Sequence, residues 1–294
     1  MTEGIKNVLK RLNVYYWLKY SRLFRLYERV FKPYILAQHN KEVSLYKGFL
    51  RSPALIFDIG AYDGHKTAAF AEISSKVISC EPDPDSFKIL SSRFRNWRNK
   101  VQLLNCAVYD KQGEALLQRN IKGSAFNTLN PEWSDILQRD QGERWGEKIK
   151  FDPSISVVAK TTTLDHLIEQ FGVPDFIKID VEGSELQVMR GLTKKIRAVS
   201  FECLLPEFKS QLLEILTRLL SLDNSYRFNI IYDEELILPM PASHEEILQW
   251  IENTRFHCFD MLAILENDRF NPSSDQVETQ KKLPFFDSLF LFHS

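Results

Sequence analysis

The chain has 294 residues, of which 44% are hydrophobic and 26% are charged, a composition typical of an ordinary globular protein. With 11 glycines and 12 prolines, the collagen-like and the Pro/Gly-rich disordered classes are excluded. No apolar run approaches the roughly 20 residues of a membrane span, and the start lacks the apolar core of a signal peptide. We therefore expect a cytoplasmic protein.

The formal net charge of −1 is unevenly distributed. Residues 1–51 carry eleven Lys and Arg against three Asp and Glu, a net charge of +8, whereas residues 52–294 have a net charge of −9. A basic arm can contact a membrane surface, a nucleic acid or an acidic partner, and the acidic body makes nucleic acid the weakest candidate. The four cysteines lie far apart in apolar stretches, which favours buried thiols over a zinc site.

Residues 1–51 are predicted to be helical, with aromatic and basic side chains interleaved. Apolar positions recur with the spacing of one helical face at Leu23, Leu26, Tyr27 and Val30. Pro33 is expected to kink or end this helix. A basic helix with aromatic anchors suits a membrane surface or a partner protein. A helix packed on the rest of the chain explains the same pattern, and we favour packing.

From residue 54 onward, short apolar runs alternate with amphipathic segments, which predicts βαβ units and a parallel sheet. Seven sheet strands are predicted, at residues 54–57, 77–80, 101–104, 176–179, 198–203, 228–232 and 258–265. Helices are predicted near residues 65–73, 85–97, 164–171, 184–190, 208–219 and 243–251. Ser184 matches a capping box, and Ser243 is expected to cap the last helix.

Residues 110–160 interrupt this alternation. Two strands are expected at 114–118 and 156–160, around a polar stretch that contains Trp133 and Trp145. So long a connection favours a lid or a substrate loop, and a variable surface insertion explains it equally well.

The predicted organisation has three parts: a helical extension at 1–51, an α/β domain at 52–270 that includes the insertion, and an apolar tail at 271–294. An exposed apolar tail would be a liability. We therefore expect the tail to dock on the body or to form a dimer contact.

The first motif follows the first strand and reads Asp58-Ile-Gly-Ala-Tyr-Asp-Gly64. A glycine-bearing turn before a helix lets a ligand approach the backbone, and the helix N-terminus offers free N–H donors. The spacing of Gly60 and Gly64 differs from the GxGxxG of dinucleotide enzymes. Asp58 adds a carboxylate, which suits a cationic or amine-bearing ligand better than a pyrophosphate.

Two further signals lie at the ends of the next strands. Glu81, which Pro82 follows, ends the second strand 23 residues after Asp58 and is placed to accept hydrogen bonds from ribose hydroxyls. A carboxylate that interacts with a helix dipole is the alternative, and we favour the ribose. The third strand is followed by Asn105-Cys-Ala107, whose small residues leave room for a flat base.

The fourth strand runs into a charged turn, Asp175-Phe-Ile-Lys-Ile-Asp-Val-Glu-Gly-Ser-Glu185. Alternation places Lys178, Asp180 and Glu182 on one face if the strand stays extended. A buried Lys is costly without a partner, so Lys178 should meet a carboxylate. Asp180 could be a general base, a metal ligand or an orienter of the substrate, or it could simply pair with Lys178.

Taken together, these stretches resemble the FkbM-type methyltransferases, which depend on S-adenosylmethionine. The blocks that carry the resemblance are Asp58-Ile-Gly60 with Gly64, Glu81-Pro82, Asn105-Cys-Ala107, Thr163-Leu-Asp165 and Ile177-Lys-Ile-Asp-Val-Glu-Gly-Ser-Glu185. The resemblance covers roughly residues 55–202, and more loosely the closing strand. It implies a class I methyltransferase fold, with seven strands and an antiparallel last strand, and O-methylation of a hydroxyl, often on a sugar or natural product.

The resemblance also implies a cofactor site. The turn after the first strand would cradle the methionine part, the second-strand acid would hold the ribose, and the end of the third strand would lie near the adenine. The residues expected to bind S-adenosylmethionine are Asp58, Gly60, Ala61, Tyr62, Gly64, Glu81, Pro82, Cys106 and Ala107.

For catalysis, methyl transfer from a sulfonium has a neutral leaving group, so the enzyme supplies mainly alignment. An alcohol nucleophile gains from a base or a cation near it. We expect Asp180 to take or orient the proton, alone or through a divalent metal. Glu182 is the second catalytic candidate, and His65 is a weaker one.

Two other classes of function stay open. A nicotinamide-dependent oxidoreductase would also place Glu81 on a ribose, but the glycine spacing and Asp58 argue against it. A non-catalytic adaptor would dock through residues 1–51 at a membrane or a glycan-assembly complex. The presence of both Asp58 and Glu81 argues against a pocket that has lost cofactor binding. The acceptor and the oligomeric state are not specified by these motifs.

Overall fold

The computed structural model describes residues 15–21, 31–140, 142, 144, 146 and 148–266. The predicted amphipathic face from Leu23 to Val30, Trp145 and the apolar tail lie outside the described residues. Within the described residues, no helix is long and apolar enough to span a membrane.

Eleven strands are described. In chain order they are β1 Leu55–Ile59, β2 Lys76–Cys80, β3 Val101–Leu104, β4 Ala107–Val108, β5 Gly113–Leu117, β6 Val157–Thr162, β7 Phe176–Ile179, β8 Ala198–Leu204, β9 Tyr226–Tyr232, β10 Glu235–Leu236 and β11 Cys258–Leu265. Eight of them form the central sheet, in the order β10-β9-β11-β8-β7-β1-β2-β3. Strands β3, β2, β1, β7 and β8 are parallel, and β11 runs antiparallel between β8 and β9. The class I methyltransferase fold is thereby confirmed, including the antiparallel last strand.

The described helices flank this sheet. They are α1 Tyr15–Lys19, α2 Pro33–Phe49, α3 His65–Ile73, α4 Pro84–Arg93, α5 Pro131–Arg139, α6 Leu164–Phe171, α7 Glu185–Arg190, α8 Lys209–Leu222 and α9 His244–Asn253. A short 3₁₀ turn occupies Pro153–Ile155. Strand β1 is buried along its whole length, because helices cover both faces of the sheet and make parallel strands read as continuous apolar runs.

The structure corrects several predicted boundaries. The central sheet has an eighth strand, the two-residue β10, which follows a turn with positive φ at Asp233 and Glu234 and is too short to give an alternating pattern. Helix α4 ends at Arg93 rather than at residue 97. The interruption predicted at Pro33 is confirmed: Phe31 is helical, Lys32 leaves the helical backbone, and Pro33 begins α2, where its missing N–H costs no hydrogen bond.

The two predicted helix caps differ in outcome. Ser243 forms a full capping box with Glu246. Ser184 makes no side-chain cap bond, so the capping box predicted there is wrong. The Glu185 carboxylate instead accepts the N–H groups of Val181 and Gly183 at 3.1 and 3.3 Å, which draws that turn inward.

The described half of the N-terminal extension packs on the sheet. Helix α2 buries Tyr46 and Phe49, and the Tyr46 ring lies 4.7 Å from Phe70 and 5.7 Å from Phe176. The first turn of α2 stays exposed, with Tyr34 66% accessible. Packing is thus the outcome for residues 39–50, while contact of the basic arm with a membrane or partner stays a prediction.

The insertion forms a second, three-stranded sheet in the order β4-β6-β5. Its two longer strands begin one residue away from the predicted starts, at Gly113 and Val157. Helix α5 follows β5, and Trp133 on α5 is buried against Phe208 at 5.7 Å between ring centroids. The insertion is therefore tied to the body through its own small core.

Candidate active site

The turn after β1 is held against the end of β2. The N–H groups of Gly60 and Ala61 both donate to the Cys80 carbonyl at 3.0 Å. Gly60 has φ +85°, and a Cβ there would lie 1.7 Å from the Asp180 carbonyl oxygen. Only glycine fits this position, because both the left-handed backbone and the contact exclude a side chain. Gly60 thus brings the turns after β1 and β7 into direct contact.

Asp58 lies behind this turn. It is 2% exposed and accepts a short hydrogen bond from the Thr67 hydroxyl, which lies 3.2 Å from the Ser79 hydroxyl. Burial raises the pKa of Asp58 to about 6, although the Thr67 hydrogen bond opposes that rise. Through Thr67, Asp58 ties the end of β1 to the first turn of α3. A direct contact with a ligand amine stays a prediction.

Glu81 is 6% exposed at the end of β2. Its Oε2 accepts the Tyr62 N–H and its Oε1 accepts the Asp83 N–H, both at 2.8 Å. Burial raises the pKa of Glu81 to about 7, against the lowering effect of these two N–H donors. Each carboxylate oxygen keeps a further lone pair. Glu81 is therefore rigidly oriented and can still accept two hydrogen bonds from a diol.

A cavity of about 250 Å³ opens along the carboxyl edge of the sheet. Its lining includes six of the nine residues predicted to bind the cofactor, namely Gly60, Tyr62, Glu81, Pro82, Cys106 and Ala107. Three others, Asp58, Ala61 and Gly64, are not among the lining residues and support the turn. A crevice beyond the carboxyl ends of parallel strands is where ligands bind in open α/β sheets.

Three carboxylates line the same cavity at the ends of β7 and β8: Asp180, Glu182 and Glu202. One ligand oxygen from each lies within 4.8 Å of the others, a spacing that would suit a divalent cation. The extended alternation predicted for this stretch stops at Ile179, and Glu182 has a φ of +54°. Asp180 and Glu182 nevertheless both reach the cavity.

Lys178 is fully buried behind this cluster. Its Nζ lies 2.9 Å from Asp260 Oδ1 and 3.3 Å from Asp180 Oδ2, so the prediction that Lys178 meets a carboxylate is confirmed. Burial alone would lower the pKa of Lys178, but Asp180 and Asp260 raise it well above its usual range. A permanent positive charge therefore sits under the acidic cluster.

The carboxyl groups in this cluster differ in their affinity for protons. Burial alone would raise the pKa of Asp180, but the charges of Lys178 and Lys66 outweigh it and hold the pKa below its usual range. Burial and the neighbouring Asp180 raise the pKa of Glu182 to about 8. Burial and Asp180 also raise the pKa of Glu202 well above its usual range. The pKa of Asp180 is thus lowered, whereas the pKa values of its two neighbours are raised.

His65, the weaker catalytic candidate, lines the cavity and is half exposed. Its Nδ1 lies 3.4 Å from Asp63 Oδ1, and its Nε2 lies 3.8 Å from Glu42 Oε1. Burial alone would lower the pKa of His65, but the contact with Asp63 raises it. The raised pKa favours the imidazolium over the neutral imidazole that a general base needs.

Several residues of the site escaped the sequence reasoning. Glu202 and Asp260 face each other in the register of β8 and β11. A single acid within an apolar strand, as in Phe201-Glu-Cys and Phe259-Asp-Met, was the signal that could have found them. Trp133 donates its indole N–H to Glu182 Oε2 at 3.1 Å, and no local sequence pattern predicts that contact.

Comparison with known proteins adds a family. The profile of the Methyltransferase FkbM domain matches residues 58–258. The hexuronic acid methyltransferase AglP of Haloferax volcanii is 26% identical over 149 residues, which are 50% of this chain and 53% of that protein. This chain thus spans about half the length of the curated relative it matches.

Solved structures align at low identity. A precorrin-6y C5,15-methyltransferase from Geobacter metallireducens is 11% identical, with a TM-score of 0.39 and coverage of 76% of this chain and 87% of that one. An rRNA methylase from Streptococcus thermophilus is 11% identical, with a TM-score of 0.39 and coverage of 77% and 93%. A ribosomal protein L11 methylase from Lactobacillus delbrueckii subsp. bulgaricus is 9% identical, with a TM-score of 0.40 and coverage of 77% and 76%.

Proposed function

The chain belongs to the FkbM methyltransferase family, and from this premise we propose that it transfers a methyl group from S-adenosylmethionine to a hydroxyl of a sugar or glycan. The methyltransferase activity and its cofactor follow from the family. The hydroxyl and the sugar are the proposal. The observation that carries it is one cavity whose lining includes the buried, oriented carboxylate of Glu81 at the end of β2 and the acidic cluster of Asp180, Glu182 and Glu202 at the ends of β7 and β8.

The residues of the cavity fit S-adenosylmethionine. Glu81 is buried and oriented by two backbone N–H groups, so its free lone pairs suit the two ribose hydroxyls. Gly60 removes the side chain that would block the backbone from the ligand. Pro82, Cys106 and Ala107 offer small or apolar surface for the adenine.

When bound, S-adenosylmethionine supplies an electrophilic methyl group on a positively charged sulfur that leaves as a neutral thioether. Asp180 accepts the proton that the acceptor hydroxyl must lose, because Lys178 keeps this carboxylate ionised. Gly60 and Asp180 touch through the backbone, so the same contact that shapes the cofactor turn fixes the position of the base. Alignment of the acceptor oxygen with the methyl group provides the rest of the rate enhancement.

Glu182 and Glu202 are assigned to the acceptor. Their raised pKa values favour the protonated forms, and a protonated carboxyl group can donate one hydrogen bond and accept others. Vicinal hydroxyls likewise donate and accept hydrogen bonds, so they complement such groups. We therefore favour a polyol as the methyl acceptor. The hexuronic acid named for the relative from Haloferax volcanii supports a carbohydrate acceptor for this chain as well.

A divalent cation is the second way to activate the hydroxyl. The oxygens of Asp180, Glu182 and Glu202 lie close enough to share one, and a bound cation would lower the pKa of the acceptor hydroxyl. The two routes differ in their response to chelation. Full turnover in EDTA supports Asp180 as a base, whereas loss in EDTA with recovery on adding Mg²⁺ or Mn²⁺ supports the metal.

The first experiment is calorimetric titration with S-adenosylhomocysteine, followed by methyl transfer from radiolabelled S-adenosylmethionine to a panel of glycosides. We expect binding, and labelling of a hydroxyl that Asp180→Asn abolishes while binding is kept. Labelling of an amine or a carboxylate would overturn the acceptor proposal. Binding of NAD without S-adenosylhomocysteine would favour the oxidoreductase, and partner binding through residues 1–51 with neither cofactor would favour the adaptor.

A further inference from the structure

The insertion crosses the mouth of the cavity and is attached on the β2 side. The Arg119 guanidinium, 3% exposed, lies 3.1 Å from Asp83 and 2.6 Å from Asp85 at the start of α4. The side-chain amide of Asn127 donates to Asp83 Oδ2 at 2.5 Å, and the Gly123 N–H donates to the same oxygen at 3.2 Å. These donors gather on a carboxylate that follows Glu81 by only two residues.

The same segment is attached on the β7 side. The Thr128 hydroxyl donates to the Glu182 carbonyl at 2.7 Å, and the Asn130 amide donates to the Gly183 carbonyl. The Trp133 indole donates to the Glu182 carboxylate at 3.1 Å. A positive φ in a residue other than glycine persists only where its surroundings hold it, and these bonds hold Glu182.

Between its two attachments, the chain runs along the cavity. Residues 119–130, here named the cavity strap, contribute Ser124, Ala125, Asn127 and Leu129 to the lining. Paired backbone hydrogen bonds between Gln118 and Thr128, at 2.8 and 3.1 Å, close the base of its loop. This loop is closed at its base and hydrogen-bonded at both sides. It is therefore held in place as a wall of the cavity, because detaching it would leave polar groups unpaired, at a cost in free energy.

We propose that the cavity strap is the outer wall of the cofactor site, that the side-chain size at Ala125 limits the room for the bound cofactor, and that Arg119 is the positioning residue of this wall. The proposal rests on the proposed function, since it assigns S-adenosylmethionine to the cavity. Ala125 is exposed and lines the cavity, so it stands at the rim, where a larger side chain can be added without disturbing a core. Arg119 is the first residue of the cavity strap, and it positions the strap by pairing with Asp83 and Asp85.

The first test enlarges the side chain at Ala125, at the rim of the cavity. Ala125→Leu should weaken S-adenosylhomocysteine binding about tenfold, which corresponds to about 1.4 kcal/mol, with the thermal unfolding temperature unchanged. Lys122→Leu is the matched control, because Lys122 is exposed in the same strap and is not among the cavity-lining residues. The control should bind S-adenosylhomocysteine as the wild type does.

The second test loosens the anchor. Arg119→Lys keeps the charge but loses the planar fork that reaches Asp83 and Asp85 together. We expect S-adenosylhomocysteine to dissociate about tenfold faster in stopped-flow measurements, with its association rate little changed. Arg190→Lys, which alters the surface pair with Glu214, is the control and should leave both rates unchanged.

The outcomes separate this proposal from the function itself. If the folded wild type does not bind S-adenosylhomocysteine, the proposed function and the strap proposal both fail. If the wild type binds and Ala125→Leu binds equally well, the strap is not the wall of the site, although the methyltransferase assignment stands. A wild-type dissociation rate in Arg119→Lys overturns the positioning role of Arg119, whatever Ala125→Leu shows.

Discussion

The carboxyl edge of the sheet has two halves: the β2 half, with Glu81 and Asp83, and the β7 half, with Asp180, Glu182 and Glu202 at the ends of β7 and β8. The carboxylates of the two halves are held by different means. On the β2 half, Glu81 is fixed by the backbone N–H groups of Tyr62 and Asp83. On the β7 half, Asp180 depends on the buried Lys178 side chain, which is shared with the distant Asp260. Backbone donors give a rigid recognition site, whereas side-chain charges set proton affinities. This contrast is the reason that we propose cofactor binding for the first half and proton transfer for the second.

The carboxylates of Glu81 and Glu202 also differ in how completely they are hydrogen-bonded. Both oxygens of Glu81 have hydrogen-bond partners. Glu202 Oε1 accepts from the Cys258 thiol at 3.4 Å, but its Oε2 is buried without a hydrogen-bond partner in the described part of the chain. Such a group is costly in a resting protein. Under the proposed function, an acceptor hydroxyl would complete the hydrogen bonding of Glu202.

The largest effect is expected at the point where the halves touch. Gly60→Ala would place a Cβ 1.7 Å from the Asp180 carbonyl oxygen, at a φ of +85°. We expect a loss of more than about 4 kcal/mol in the free energy of unfolding, measured by urea denaturation. Gly172→Ala is the control, because Gly172 has φ +94° with open space around it and should lose about 1–3 kcal/mol from backbone strain alone. Equal losses of unfolding free energy in both variants would show that the contact between Gly60 and Asp180 does not contribute to stability.

The next effect belongs to the β7 half. Lys178→Met removes a fully buried charge and leaves Asp180 and Asp260 without their shared partner. Breaking a buried pair costs about 3–5 kcal/mol, which urea denaturation would measure. Lys209→Met, in a surface pair with Glu252, should cost less than about 1 kcal/mol. A similarly small cost for Lys178→Met would contradict a dependence of this half on side-chain charge.

The β2 half gives a prediction in pH. The pKa of Glu81 is about 7 in the folded protein, above its ordinary value of 4.5, so the folded state keeps this proton longer than the unfolded state does. The stability contribution of Glu81 is therefore present below the unfolded pKa and falls as pH rises through about 7. Glu81→Gln should reduce this fall by on the order of 2–3 kcal/mol, measured by urea denaturation at about pH 5 and about pH 8. An unchanged pH dependence would show that Glu81 stays ionised throughout.

The smallest effect concerns the link from the insertion to the β7 half. Trp133→Phe keeps an aromatic ring against Phe208 but removes the indole N–H that Glu182 accepts. We expect a loss of about 1–2 kcal/mol in the free energy of unfolding. Trp97→Phe is the control for loss of an indole outside the site, since Trp97 packs against the α2–α4 side of the core. A loss no larger than in this control would mean that the hydrogen bond contributes nothing to stability.

The same contrast explains what the sequence could predict. The β2 half is local: Gly60, Glu81 and Pro82 lie within one βαβ unit, and the spacing of a turn and a strand end was enough to locate them. The apolar runs likewise located the strands of the main sheet to within two residues. Local patterns report backbone geometry, because turns and strand ends impose residue types directly.

The β7 half is only partly local. Lys178 and Asp180 were visible as charges at a strand end, but Asp260 reaches them from 80 residues further along the chain through the β8–β11 register. The contacts of Arg119 and Trp133 arise from the path of the insertion. The helical spacing of Trp133, Ile136 and Leu137 indicates helix α5 but not the partner of the indole N–H. Tertiary pairing decided these positions, so single-sequence reasoning could not place them.

The most direct test of the division between the two halves is S-adenosylhomocysteine calorimetry on the wild type, Glu81→Ala and Asp180→Asn. The account predicts that the wild type binds, that Glu81→Ala loses about 100-fold or more in affinity through two lost ribose hydrogen bonds, and that Asp180→Asn binds like the wild type. Equal losses in both variants, or no binding by the folded wild type, would contradict it.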